Sequence, residues 1–170
     1  MIQYNQTTLT GKVDMKKVAI FLILIFVLCG FCACGPKKNS GSSDDNSQGD
    51  VSKMYVTIYG NKLEVTLENN SSVKALVELL KQGDITYTAD DYGGFEKVGS
   101  IGHSLPTNNS QITTEAGDVI LYQGSQICIM VGSNSWSYTR IGKINGYSVS
   151  KLKDLVGTGK GSAEVTLSLV

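Results

Sequence analysis

The chain contains few of the residues that usually carry catalysis or bind metals. Its 170 residues include one histidine, His103, and one arginine, Arg140. A zinc site needs three or four ligands, and no second histidine or cysteine stands at metal-ligand spacing from His103. The Gly-x-Ser-x-Gly pattern of serine hydrolases is absent too. We therefore expect no metal, no cofactor and no serine-hydrolase chemistry.

An excess of charge of one sign is also missing. Residues 34–170 hold 12 basic and 14 acidic side chains and contain no basic cluster. Because proteins bind phosphate backbones with clustered lysine and arginine, we expect no nucleic-acid partner.

Cysteine is scarce outside the N-terminal part of the chain. Three of the four cysteines lie within residues 29–34, and only Cys128 lies further on, in the apolar run 127–131. A single internal cysteine cannot form an intramolecular disulfide. No histidine or basic residue next to it in the sequence would activate its thiol, so we interpret Cys128 as a small buried apolar residue.

One long hydrophobic run is present, and it lies near the N-terminus. Lys16 and Lys17 precede twelve apolar residues at 18–29. This order of basic start, apolar core and smaller residues is typical of a secretory signal peptide, which we place at residues 15–33. Residues 1–14 are polar and precede a better start at Met15, which is consistent with a mis-assigned start codon.

The end of this run, Phe31-Cys32-Ala33-Cys34, resembles the lipobox of bacterial lipoproteins, although phenylalanine stands where leucine is usual. In that class the cysteine receives a diacylglycerol, and the chain is cut just before it. The resemblance implies lipidation at Cys34 and a lipid anchor on the outer face of a bacterial membrane. The alternative is an uncleaved membrane helix, but residues 18–33 fall short of the roughly 20 that span a bilayer.

The next segment reads as a linker. Residues 35–52 are rich in Gly, Ser, Asn and Asp and are nearly free of apolar side chains. Such a segment cannot bury enough surface to offset its ordering entropy, so we predict a disordered linker at 34–52 that begins with the lipidated cysteine. As a flexible coil it would hold the following domain roughly 25 Å from the membrane on average.

Residues 53–170 have the patterns of a single domain made of short strands. Strands predicted at 54–59 and 62–67 flank a tight turn at Gly60-Asn61. Loops are predicted at 90–94 and 134–137. Further strands are predicted at 85–89, 95–98, 119–122, 127–131, 139–144 and 163–169.

Two helices are predicted from the spacing of apolar residues. The first has an i, i+3, i+4, i+7 pattern at Val73, Leu76, Val77 and Leu80. Ser71 or Ser72 is its predicted N-cap, and Gly83 suits its end. The second spans 148–156, just before Gly157.

About eight strands and two short helices, with an amphipathic strand at each end, predict a mainly β domain. Closing the sheet removes unpaired edges, so we favour a closed barrel whose ends are covered by the two helices. A β-sandwich is the alternative, because periodicity does not separate the two.

Two runs of the domain carry a family resemblance. Residues 92–124 (YGGFEKVGSIGHSLPTNNSQITTEAGDVILYQG) and 129–144 (IMVGSNSWSYTRIGKI) resemble the bacterial cyclophilin-like domain family. Members of that family are small eight-stranded barrels, many are lipoproteins, and their activity is mostly unassigned. The run 141–144 (IGKI) is also similar to the Phe-Gly-Lys-Val run of true cyclophilins, which catalyse prolyl isomerisation. The resemblance implies a closed eight-stranded cyclophilin-like barrel.

The chain departs from true cyclophilins where their catalytic arginine lies. The Phe-His-Arg and Gln-Gly-Gly-Asp-Phe runs of those enzymes are both absent. Arg140 is the one arginine that could assist isomerisation, and it would have to face an aromatic groove. Glu96 and His103 are weaker catalytic candidates, as a carboxylate–base pair across a turn. The alternative for all three is a structural role: a stacked surface arginine, a turn-anchoring carboxylate and a histidine bonded to backbone.

Aromatic and amide residues make ligand binding the more specific prediction. Rings supply contact area and amides supply direction, as an extended peptide or a sugar requires. The candidate ligand-binding residues are Tyr92, Phe95, Gln123, Asn134, Trp136, Tyr138 and Arg140, together with Tyr122. Phe95 and Tyr122 could instead belong to the barrel core, whereas Trp136 is expected to be exposed.

The sequence therefore predicts a monomeric, lipid-anchored, extracytoplasmic cyclophilin-like protein that binds a peptide or another small ligand. The first alternative is a peptidyl-prolyl cis–trans isomerase. The second is a non-enzymatic lipoprotein that docks a membrane neighbour.

Overall fold

The computed structural model describes residues 51–170, and all statements about structure concern these residues. The predicted signal peptide at 15–33, its upstream residues 1–14, Cys34 and most of the predicted linker lie outside the described residues. Neither helix within the described part is long and apolar enough to cross a membrane.

The domain contains nine strands and two helices. The strands are β1 Lys53–Ile58, β2 Asn61–Leu67, β3 Ile85–Tyr92, β4 Glu96–Ser100, β5 Ser110–Thr113, β6 Asp118–Tyr122, β7 Gln126–Met130, β8 Ser135–Ile144 and β9 Ala163–Ser168. The helices are α1 Ser71–Leu80 and α2 Val149–Val156.

Eight of the strands close into an antiparallel barrel. They are hydrogen-bonded in the order β2-β1-β9-β3-β4-β7-β6-β8, and β8 pairs back to β2. The predicted mainly β fold, a closed eight-stranded barrel with two short helices, is confirmed. The ninth strand, β5, pairs with β8 alone. It escaped prediction because its sequence, Ser-Gln-Ile-Thr, holds one apolar residue and so has no alternation to detect.

The first hairpin turns one residue earlier than predicted. Ile58 pairs with Asn61, so the turn residues are Tyr59 and Gly60, with φ of 47° and 74°. A two-residue turn with both central residues at positive φ matches the twist of the strands it joins, and glycine adopts the positive φ of the second position without steric cost. The prediction of Gly60-Asn61 as the turn was wrong by one residue.

Two predicted loops are largely strand. β3 continues to Tyr92 and pairs with β4 from Asp90↔Val98 to Tyr92↔Glu96, so the turn consists of the residues after Tyr92. The predicted loop at 134–137 is strand from Ser135 onward, because β5 pairs with that part of β8. Both predictions failed for one reason. Polar residues on an exposed stretch of strand look like loop residues when the partner strand is not known.

The helices lie where their apolar spacing predicted them. The buried face of α1 consists of Ser72 together with the four predicted residues Val73, Leu76, Val77 and Leu80. Its N-cap is Asn70, whose side-chain oxygen accepts a hydrogen bond from the Val73 amide at 3.0 Å, rather than either serine. Helix α2 begins after Ser148 and ends at Gly157, which has a φ of 66°.

The barrel interior is filled by alternate residues of its strands. One cluster of buried apolar side chains includes Met54 and Val56 of β1, Val65 of β2 and Val165 and Leu167 of β9, together with the buried face of α1. Val51 also packs against this core, and the carbonyl of Ser52 accepts a hydrogen bond from the Leu67 amide at 2.8 Å. The folded domain thus includes the last two residues of the predicted linker.

The seam that closes the barrel depends on one glycine. Leu67 of β2 pairs with Gly142 of β8, and the backbone of β2 approaches closely enough that a Cβ on Gly142 would overlap the Thr66 carbonyl oxygen. Only glycine fits such an approach without moving a strand.

A buried lysine ties the strands to the loop after α2. Lys97 of β4 has no exposed side-chain surface, and its Nζ lies 3.0 Å from Oδ1 of Asp91 on β3. The other Asp91 oxygen accepts hydrogen bonds from the amides of Gly159 at 3.0 Å and Gly161 at 2.8 Å. Burial raises the pKa of Asp91, but the bonds from Lys97 and the two amides outweigh it and hold the pKa below its ordinary value. We call loop 157–162 and its two partners, Asp91 and Lys97, the glycine-loop latch.

Candidate functional site

A second apolar cluster lies on the outer face of the barrel wall. Successive side chains of a strand point to opposite faces, so Ile120 and Cys128 face away from the interior that Leu121 and Ile127 fill. Together with Met130 and Tyr138 they form a cluster separate from the core. The four-residue buried runs of β6 and β7 therefore reflect burial on both faces of the wall.

Tyr138 of this outer cluster lines a groove with a volume of about 770 Å³, as do Phe95, Val98 and Tyr122, which pack against the cluster. The groove is lined by residues of five strands and the segments joining them. The ten residues are Tyr92, Gly93, Phe95, Glu96, Val98, Tyr122, Gln126, Asn134, Trp136 and Tyr138. Its volume falls within the range of small-molecule and peptide sites.

The aromatic rings of the groove meet at steep angles. Tyr92 and Phe95 have ring centroids 6.0 Å apart and planes inclined at 88°. Tyr122 and Tyr138 have centroids 5.9 Å apart and planes inclined at 72°. Edge-to-face pairs of this kind turn ring faces in different directions, so the rings form walls rather than one flat stack. Trp136, with 55% of its surface exposed, is the fifth aromatic ring of the groove.

Several polar atoms at the groove have partners in the protein. The Asn134 side-chain amide donates to the Tyr138 hydroxyl at 2.7 Å, and its oxygen accepts from the Ser135 amide at 3.0 Å. The Tyr122 hydroxyl accepts from the Gln123 side chain at 3.1 Å. These bonds fix the orientation of Tyr122, Asn134 and Tyr138.

Glu96 is the one acidic side chain lining the groove. It is 7% exposed, and its Oε2 is buried without a hydrogen-bond partner in the described chain. Burial raises the pKa of this carboxyl above its ordinary value, and interaction with the Cys128 thiol opposes the rise only in part. Burial, and second the neighbouring Glu96, raise the pKa of the Cys128 thiol, as is usual for a buried structural cysteine.

The groove brings together most of the residues that the sequence nominated for ligand binding. Tyr92, Phe95, Asn134, Trp136 and Tyr138 all line it, as does Tyr122. Phe95 and Tyr122 are half-buried on the outer wall, so the alternative that placed them in the barrel core does not hold. Gln123 is exposed at the β6–β7 turn and reaches the site only through the Tyr122 hydroxyl.

The three catalytic candidates do not converge on one concavity. Glu96 lines the groove, whereas Arg140 and His103 do not. The Arg140 guanidinium lies 3.2 Å from the buried Asp118 carboxylate, which also binds Lys143 at 2.8 Å. His103 is exposed in the segment between β4 and β5. Within residues 51–170, no three His, Cys, Asp or Glu side chains come together in an arrangement that would hold a metal ion.

Three lining residues were missed by sequence reasoning: Gln126, Val98 and Gly93. Gln126 precedes Cys128 and Met130 at intervals of two in β7, so strand periodicity places it on their face. The predicted strand began at residue 127. A start one residue earlier would have placed Gln126 on the same face as Cys128 and Met130. Gly93 carried no comparable signal, since its place against the Phe95 ring depends on the turn after Tyr92.

These observations define a small closed β-barrel with an aromatic groove on its outer wall. The sequence profile of the Cyclophilin-like family matches residues 56–168, and the chain belongs to this family. The solution structure of a hypothetical protein from Archaeoglobus fulgidus is similar, with a TM-score of 0.54 at 17% identity over 73% of this chain and 99% of that chain. At this identity the likeness shows the fold alone. No curated protein matches the chain.

Proposed function

We propose that this protein is a lipid-anchored, extracytoplasmic binding module that takes an extended peptide or another small ligand in the aromatic groove. The observation that carries the proposal is the composition of the groove: five aromatic rings, two amides and one carboxyl around a volume of about 770 Å³. Five aromatic rings supply a large contact area and lose little conformational entropy when a ligand binds.

Binding without catalysis is supported by the position of the one arginine. Prolyl isomerisation must lower a barrier of about 18–20 kcal/mol, and an arginine next to the amide nitrogen is the group expected to assist. Arg140 is engaged by Asp118 outside the groove, and none of the ten lining residues in the described domain is Lys, Arg or His. We therefore favour binding over isomerisation.

Trp136 offers a direct test because it is the single tryptophan of the chain. Titrating the full-length protein with a set of short blocked peptides, X-Pro sequences included, should shift or quench its fluorescence. Trp136→Ala should weaken binding of a responding peptide roughly tenfold by calorimetry, since exposed aromatic anchors commonly carry such energies.

Tyr147→Ala is the matched control, because Tyr147 is similarly exposed at 45% and does not line the groove. It should leave the affinity unchanged. Peptides that bind Trp136→Ala as tightly as the native chain, or a complete lack of response, would refute the groove as the site. Acceleration of X-Pro exchange by the same protein would favour the isomerase instead.

The lipid anchor is supported by the order of residues 15–34 and is tested at Cys34. In a bacterial host, the native chain should incorporate labelled fatty acid and sediment with membranes, and Cys34→Ser should lose the label. Cys32→Ser is the control and should retain it. A native chain without label, or a product that retains residues 15–33, would exclude the lipoprotein.

A further inference from the structure

The groove combines aromatic walls with one buried carboxyl that has an unsatisfied oxygen. Glu96 Oε2 is buried and unpartnered, although leaving a polar atom unpaired in this way costs free energy. Such an atom calls for an explanation, and a ligand that satisfies it is one. The neighbouring Asn134 does not satisfy it, because both polar ends of its side chain are occupied.

We propose that the groove recognises an alkylated ammonium group, with Glu96 as the counter-ion and the rings of Tyr92, Phe95, Tyr122, Trp136 and Tyr138 as a cage. The inference rests on the proposed binding function and names the chemical class of its ligand. Ring faces attract cations through their quadrupoles, and quaternary ammonium groups are bound in this way. Both ring pairs line the same groove with their planes inclined at 88° and 72°, so the rings present surfaces in more than one direction.

The charge balance of the groove favours a cation over an anion. Its lining includes Glu96 and no basic side chain. The two cationic side chains of the neighbouring strand β8, Arg140 and Lys143, are both held by Asp118. An ammonium next to Glu96 would also favour the ionised carboxylate, and so would offset the burial that raises the pKa of that group.

The aromatic surface of the groove favours an alkylated ammonium over a primary one. A primary ammonium has three N–H donors to satisfy and is strongly hydrated, whereas five of the ten lining residues present aromatic rings. A quaternary ammonium needs no acceptors. Its methyl groups bury against the rings while its charge remains close to Glu96.

Choline chloride and dimethylbutanol, its uncharged carbon analogue, form a matched pair of probes. At constant ionic strength, choline should quench or shift the fluorescence of Trp136 in the full-length chain, and dimethylbutanol should bind at least tenfold more weakly. Glu96→Gln keeps the size and a polar end but removes the charge. It should weaken choline roughly tenfold and leave dimethylbutanol unchanged.

Glu78→Gln is the control, because Glu78 lies exposed on α1 away from the groove. Equal affinity for choline and dimethylbutanol would overturn the ammonium inference, and so would an unchanged choline affinity in a folded Glu96→Gln protein. If peptides bind and choline does not, this inference fails while the proposed function stands. If neither probe nor peptide perturbs Trp136, both fail.

Discussion

Replacing Asp91 with alanine is expected to lower the free energy of unfolding by about 3 kcal/mol, the lower end of the range for breaking a buried ion pair. Lys97 has no exposed side-chain surface, so the change leaves an ammonium in the wall without its carboxylate. The amides of Gly159 and Gly161 lose their acceptor as well. Urea denaturation followed by circular dichroism measures the loss.

Glu64→Ala is the matched control for the glycine-loop latch. It also breaks a lysine–carboxylate pair, Lys53–Glu64, but both side chains are about half exposed. Exposed pairs are screened by water, so the stability should be nearly unchanged. Equal losses in the two variants would show that the latch contributes no more than a surface ion pair. In the Asp91 variant, loop 157–162 should also become the first site of proteolytic cleavage.

Gly142→Ala is expected to cost about 3 kcal/mol, at the upper end for overpacking, because the added methyl would overlap the Thr66 carbonyl of the backbone as well as the Val65 side chain. The strain would fall on the β2–β8 pairing that closes the barrel. We therefore expect faster amide hydrogen exchange in both strands, as well as a lower urea midpoint.

Gly146→Ala separates crowding from backbone strain. Gly146 has a φ of 87°, yet a Cβ there would meet no atom within 4 Å. Its substitution should cost only about 1 kcal/mol through backbone conformation. A Gly142 variant as stable as the Gly146 variant would mean that the seam relaxes without loss.

Much of the barrel could be predicted because its strands have one solvent-exposed face and one buried face. Alternation in β2 and β9 and the apolar spacing in α1 were sufficient to place those elements. β5 could not be found in this way, since a strand that adds only one partner carries almost no apolar periodicity. Because β5 was not predicted, the start of β8 was placed too late in the sequence.

The aromatic side of the site was also predictable, because residues 90–143 concentrate aromatic and amide side chains. The burial of Glu96 was not, since a glutamate in a polar stretch looks solvated until β7 is known to lie beside it. The ion pair of Arg140 was not predictable for a similar reason. Its partner, Asp118, is 22 residues away in sequence and contacts it only through the β6–β8 pairing.

The attachment of β5 to a single neighbour has a consequence for the groove. Ile112 of β5 pairs with Trp136 and packs beneath the groove wall, yet β5 forms no part of the closed ring of strands. Substitutions in this outlying strand therefore change the groove wall and leave the hydrogen-bonded ring of strands intact.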